Sequence, residues 1–395
     1  MLYNHIVLTD LIRRRSRFDF FKELTQLDCY NIVKHSEDLS VLSDARFKSW
    51  SSLKNFVILG TGGSSLGGQA IHSIANSDEK NIKFVNNLDP SSLEKLLSKI
   101  NLDNTGFLVI SKSGETLETI CQLLIIMDFA RHSHHFRDRF LIVTEDKDST
   151  LRQIANQNKF LCFDHPNTIG GRYSVFSLVG MIPAILCGLD PRAIRTGGRR
   201  VLDNFGNSTY KIQEGADFVF KNFEKGIFNH VSFIYSEKLI NFGYWLAQLY
   251  AESSGKDGKG ITPLTAIGSI DQHSQLQLYL DGPCDKCFTF FYEKQEAGLT
   301  LDNMDLPQKF EYLKQKRVSE IFASQCEATQ KVLLENGFNV RRIEVPPVSA
   351  DNLGALFMHF MLEVACVCKL MEVDPFNQPA VERGKIITKE LLSQE

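Results

Sequence analysis

The chain of 395 residues has no excess of basic charge, no uninterrupted apolar run of membrane-spanning length and no even, closely spaced cysteine set. Each absence removes a class of protein. A formal net charge of −3 lacks the basic surplus with which a nucleic-acid binder neutralises phosphates. Arg13–Arg15 and the group Arg195, Arg199 and Arg200 are too short to change that and read as solvated helix or turn. The most apolar stretch, from Val175 to Leu189, stops short of the ~18 residues of a membrane span and contains Pro183. The opening residues lack the charged-then-apolar layout of a signal peptide. A cytoplasmic protein with neither nucleic acid nor membrane as partner is expected.

Nine cysteines, an odd number, lie in apolar surroundings and read as buried free thiols. Cys284 and Cys287 form a lone CxxC without a second pair or nearby histidines, so no metal is expected there. Two nucleotide signatures are also missing. No Gly-Lys-Ser/Thr follows the glycines, and the second strand ends in Val85-Asn86-Asn87 where a ribose-binding acid would stand.

What is present is an alternation of short apolar runs and helical stretches. Phe56–Gly60, Ile82–Val85, Phe107–Ile110, Phe140–Thr144 and Phe160–Phe163 read as buried parallel strands. Helices are expected over Ser64–Ala75, Ser91–Ile100 (with Ser91 as N-cap) and Thr116–Arg131. A looser second copy holds strands at Val231–Tyr235, Phe288–Phe291 and Val340–Val345, with helices around Tyr244–Tyr250 and Asn352–Met371. The fold class is α/β, as two tandem three-layer αβα sandwiches with parallel sheets and added N- and C-terminal helices. The expected division is an N-terminal helical segment over 1–45, with Phe18, Phe20, Phe21 and Leu24 on one face, then domains over 46–195 and 196–395.

In open parallel sheets, ligands collect where strand ends feed helix starts. Two such loops are rich in glycine and hydroxyls: Gly60–Gly68 after the first strand, and Ser111–Thr116 after the third. Glycines let the backbone approach an anion, and free N–H groups at a helix start favour it. Ser64, Ser111, Ser113 and Thr116 can donate to phosphate oxygens, and Lys112 brings the one positive charge. The paired loops suit a terminal phosphate monoester better than a pyrophosphate.

Four further segments place polar residues in apolar or glycine-rich settings: Gly170–Ser174, Ala251–Lys256, Asp271–Gln275 and Gln378–Lys385. The ordered set GTGGSSLGG, SKSGETLET, GGRYS, ESSGK, DQHSQLQ and QPAVERGK, from about residue 55 to 390, resembles the glucose-6-phosphate isomerase family of the sugar isomerase (SIS) fold. The resemblance implies phosphate binding by Gly63, Ser64, Ser111, Lys112, Ser113 and Thr116. It implies active-site positions for Arg172, Glu252, His273, Gln378 and Lys385. It also implies a homodimer in which the histidine reaches the neighbouring subunit's site.

The residue types fit aldose–ketose isomerisation of a hexose 6-phosphate, a step of glycolysis and gluconeogenesis. A carboxylate sheltered from water is a useful base for the carbon proton, and Glu252 is the candidate. Arg172 keeps its charge and can stabilise the enediolate. His273 suits proton transfer at the ring oxygen, with Lys385 assisting there or at the C1 hydroxyl. This chemistry needs no metal or organic cofactor. Rival readings are a non-catalytic sugar-phosphate sensor, an isomerase that also accepts mannose 6-phosphate, and a nucleotide-dependent dehydrogenase. Within the loop Glu115 departs from the family pattern; beside an anion it is expected to point outward or to pair with a cation.

Overall fold

In the computed structural model, residues 4–7, 21–75, 79–133, 135–205, 211–295, 298–302 and 305–393 are described. Ten strands form two five-stranded sheets. They are β1 (Asn4–Val7), β2 (Asn55–Leu59), β3 (Asn81–Val85), β4 (Thr105–Ile110), β5 (Phe140–Thr144), β6 (Leu161–Asp164), β7 (Asn229–Tyr235), β8 (Thr262–Ile267), β9 (Lys286–Glu293) and β10 (Asn339–Val345).

The first sheet runs β3-β2-β4-β5-β6, and every pairing is parallel. Its middle strands β4 and β5 are buried along their full length, which is why they read as continuous apolar runs rather than alternations. The second sheet runs β1-β10-β9-β7-β8; its last four strands are parallel and β1 is antiparallel to β10. The N-terminal segment has the short helices Phe21–Leu24 and Asp28–Asn31, and it adds a strand that was not expected, since β1 closes an edge of the second sheet. The apolar face expected at Phe18 and Phe20, and Arg13–Arg15, lie outside the described residues.

One core is shared by the inner faces of both sheets. Phe56 and Ile58 of the first, Phe291 and Ile343 of the second, and Phe242, Trp245 and Phe357 from helices between them belong to a single apolar cluster. The Trp245 and Phe357 rings meet edge to face at 4.7 Å between centroids. Each sheet's outer face has its own smaller cluster, around Leu123 and Ile126 for the first and Phe288 and Leu333 for the second. The helix Ala350–Leu370 is long and apolar enough to span a membrane by length and composition, yet it is packed inside the protein. It lies against the helix Pro191–Asp203, so residue 195 falls within a helix rather than in a linker.

The helix expected from Ser91 begins one residue earlier, as Pro90–Leu97, and its N-cap is Asp89, whose carboxylate accepts from the Ser92 N–H at 2.8 Å. Pro90 at the first helical position is the sequence signal for that start. The strand β8 was not expected. It sits at a sheet edge, carries Pro263 and is only partly buried, so it has no apolar run to announce it.

Candidate active site

Because neighbouring strands are parallel, the loops that follow them gather at one edge of each sheet. The loops after β2 and β4 are adjacent there, and a Cβ on Gly60 would come within 3.1 Å of the Ile110 carbonyl. In the second loop Ser111 is buried, and its Oγ accepts from the Gly114 N–H at 3.2 Å and shares a hydrogen bond of 2.9 Å with Thr116 Oγ1. Ser113 Oγ accepts from the Glu115 N–H at 3.1 Å. Gly114 has φ +70°, and a Cβ there would lie 2.2 Å from Ser149 Oγ, so the position admits only glycine. Thr116 is the N-cap of the helix Leu117–Ala130, but its side chain does not bond to the helix's first N–H groups. Those N–H groups and the macrodipole face the loop.

Two charged members of the loop turn elsewhere. Lys112 Nζ lies 3.5 Å from Glu145 Oε1. Glu115 is exposed, in keeping with the outward-pointing alternative, and it is engaged there. Its carboxylate accepts from the Thr150 N–H at 2.6 Å and from the Thr150 hydroxyl at 2.9 Å, capping the helix Thr150–Asn158 together with Ser149. The acid is thereby spent on a neighbouring helix rather than on the anion site.

The first loop closes against the reacting half of the site. A Cβ on Gly63 would sit 2.2 Å from the Gly171 carbonyl carbon and 2.7 Å from the Arg172 nitrogen, so the two backbones touch. A Cβ on Gly62 would meet Gln248 Nε2 at 2.8 Å. Ser64 is partly buried beside them.

Arg172 stands at the start of the segment Gly171–Phe176 and is 3% exposed. Its Nε donates to Ser253 Oγ at 2.9 Å, and Nη1 donates to Glu252 Oε2 at 3.3 Å and to Gln378 Oε1 at 2.6 Å. Nη2 donates to the carbonyls of Pro375 and Asn377. The arginine thus gathers Glu252 and Gln378 from distant parts of the chain. Gln248 Nε2 donates to the other carboxylate oxygen of Glu252 at 2.8 Å. Gln248 was not singled out from sequence, although its position one helical turn before Glu252 is a readable signal.

Glu252 lies near the end of the helix Ile240–Ser254, with its side chain one-third exposed toward a cavity of about 650 Å³ lined also by Lys256, Asn377 and Gln378. Lys256 Nζ donates to the Glu252 carbonyl at 2.8 Å, closing the helix end, and burial lowers its ammonium pKa. Two residues before Glu252, the Tyr250 hydroxyl donates to Glu363 Oε1 at 2.7 Å. Glu363 is fully buried and paired through both oxygens with Arg341, with His359 Nε2 3.1 Å away. Burial alone would push its carboxyl pKa up, but Arg341 and His359 outweigh that and hold it well below the usual range. Removing one partner of such a pair costs roughly 3–5 kcal/mol, and here it would also loosen the helix that carries Glu252.

His273 and Lys385 are not brought to this point. His273 is exposed on a loop that is itself firmly held. Asp271 accepts from the Ile267 N–H at 2.6 Å and from the Ser274 hydroxyl at 2.5 Å, and Gln272 donates to Gln325 and Thr329 of the helix Val318–Glu335. Lys385 is on the helix Glu382–Leu392, none of whose described residues is buried, and it pairs with Glu382 at 2.7 Å. The CxxC thiols have different surroundings, Cys287 being buried in β9 and Cys284 exposed before it.

Two parallel sheets around a shared helical core, with a hydroxyl-rich loop beside an arginine–carboxylate pair, define a sugar isomerase. The phosphoglucose isomerase family model matches residues 39–275. A "probable glucose-6-phosphate isomerase" of Haloquadratum walsbyi is 33% identical over 91% of this chain and 84% of its own length. The glucose-6-phosphate isomerase of Campylobacter jejuni is 33% identical over 90% of this chain and 88% of its own. Among solved structures, a hypothetical protein of Thermus thermophilus superposes with a TM-score of 0.87 at 28% identity, covering 96% of this chain and 92% of that one. The chain belongs to the phosphoglucose isomerase family.

Proposed function

We propose that the chain interconverts glucose 6-phosphate and fructose 6-phosphate, with the phosphate at Gly63, Ser64, Ser111, Ser113 and Thr116 and proton transfer by Glu252. The observation that carries this reading is the closure of the Gly60–Gly68 loop on both Arg172 and Gln248, each hydrogen-bonded to Glu252. A phosphate held at that loop fixes a sugar beside the carboxylate, and binding energy remote from C1 and C2 orients them. Glu252 moves the proton between C2 and C1 while Arg172, permanently charged, faces the enediolate oxygens. Lys112, whose ammonium is tied to Glu145, serves the anion through its backbone. The exposure of His273 on a rigid loop favours its delivery to the site of a second copy, and Lys385 on its exposed helix is free to approach the sugar once that copy is in place. The working unit is then a cytoplasmic homodimer in which residues 46–195 grip phosphate and residues 196–395 provide base and acid.

Glu252→Gln keeps the shape of the site and removes the base. Conversion of fructose 6-phosphate, followed through a glucose 6-phosphate-coupled assay, is expected to fall by about 10³-fold, with substrate still binding. Turnover near that of the parent would remove Glu252 from the role.

A further inference from the structure

At the opposite end of the first sheet from the phosphate loops lies a cavity of about 410 Å³. Phe140 and Leu161, the first residues of β5 and β6, border it, so it opens at the amino end of a parallel sheet whose opposite end carries the loops after β2 and β4. Arg46, Arg137 and Arg139 all line it, against a single carboxylate, Asp138, with His135 at its edge.

In ion pairing these arginines differ from five others. Arg172, Arg195, Arg200, Arg341 and Arg342 each have a carboxylate within ion-pair distance. Among the described residues none of Arg46, Arg137 and Arg139 does. Arg46 donates from Nη2 to the Lys159 carbonyl at 3.0 Å, which holds its stem at the rim. Arg139 is only 9% exposed; its Nη2 donates to the Asp103 carbonyl at 2.6 Å, and its own carbonyl accepts from Trp50 Nε1 at 2.9 Å. Its Nε is buried and has no hydrogen-bond partner among the described residues. A buried guanidinium N–H without an acceptor is costly, and a buried arginine charge without a counter-ion more so. An anion in the cavity would supply the missing counter-ion, and guanidinium groups match phosphate oxygens in pairs.

We propose that this cavity is a second binding site, for a small phosphate-bearing anion, held by Arg46, Arg137 and Arg139 and separate from the site around Glu252. The volume suits a compact ligand such as a free polyphosphate or a phosphate ester. The charge of the three arginines less Asp138 suits a ligand with two or three negative charges.

The test must be blind to the substrate's phosphate loop, so the parent for it is the Ser111→Ala/Thr116→Ala double variant. Inorganic pyrophosphate, as a free anion, and ADP, as an ester, are titrated in turn by calorimetry. At least one is expected to bind saturably with one site per chain, and at least about tenfold more weakly once Arg46→Gln and Arg137→Gln are added. The probe with the higher affinity identifies the source of the phosphate. Both substitutions are on exposed side chains and leave the fold intact; Arg139→Gln, which reaches the orphaned Nε, is expected to weaken binding similarly where it folds. With the phosphate loop intact, Arg46→Gln/Arg137→Gln is expected to retain full isomerase activity in the absence of probe. No saturable binding of either probe, or an isotherm indifferent to the arginines, would overturn the proposal.

Discussion

The site has two halves that are built in opposite ways. Around Arg172 the chain finishes the work itself: a hydroxyl and a carboxylate from one helix and an amide and two carbonyls from the C-terminal stretch meet on a buried guanidinium, with the loop after β2 against its backbone. Around His273 and Lys385 it stops short, leaving a rigid loop and an exposed helix whose functional side chains face away from the chain's own interior. Ile386, Ile387, Leu391 and Leu392 on that helix are exposed as well, as is Val381 just before it. On the reading proposed above, binding and carbon-proton abstraction are properties of one chain, while ring-opening acids belong to the assembled form.

The sharpest break of that comparison is complementation. Glu252→Gln and His273→Asn chains are each expected to be nearly inactive alone. Mixed and re-associated, they should regain activity at about a quarter of the sites, since half the dimers are mixed and each then holds one intact pair. Mixtures as inert as their components would place His273 in the same chain's site as Glu252.

A smaller effect is expected within the phosphate grip. Ser111→Ala/Thr116→Ala deletes two hydroxyl donors to a charged group and should raise KM for fructose 6-phosphate by roughly ten- to a hundredfold, with kcat less affected. An unchanged KM would take the phosphate away from this loop.

The smallest concerns Glu115. As a cap for the helix Thr150–Asn158, its replacement by Ala should lower Tm by about 2–4 °C and leave KM within about twofold. A fall in KM of tenfold would instead show that its charge had been opposing the anion.

Much of the binding half was legible in the sequence because its signals are local. Apolar runs mark β2, closed by Gly60, and β4, closed by Ser111, and glycine and serine after them mark the loops. The Arg172 and Glu252 positions came through ordered motifs, since no local pattern links residues eighty apart. What could not be read was pairing across the chain: Lys112 with Glu145, Glu115 with Thr150, and Arg172 with the Pro375 and Asn377 carbonyls. Edge strands escaped for a different reason. β1 has only four residues and β8 a half-solvated face, and short segments of that kind lack the hydrophobic pattern that identifies a buried strand. The exposed setting of His273 is likewise a tertiary outcome, fixed by how Asp271 and Gln272 anchor the loop.

An arginine has five N–H donors, and in Arg172 all five already have acceptors: Ser253, Glu252, Gln378, Pro375 and Asn377. For inhibitor chemistry this means that Arg172 is not a vacant cation. An anionic group aimed at Arg172 wins only the margin between its own contact and the one it evicts, so potency is better sought at the phosphate loop, where the helix start of Leu117–Ala130 still has donors to give.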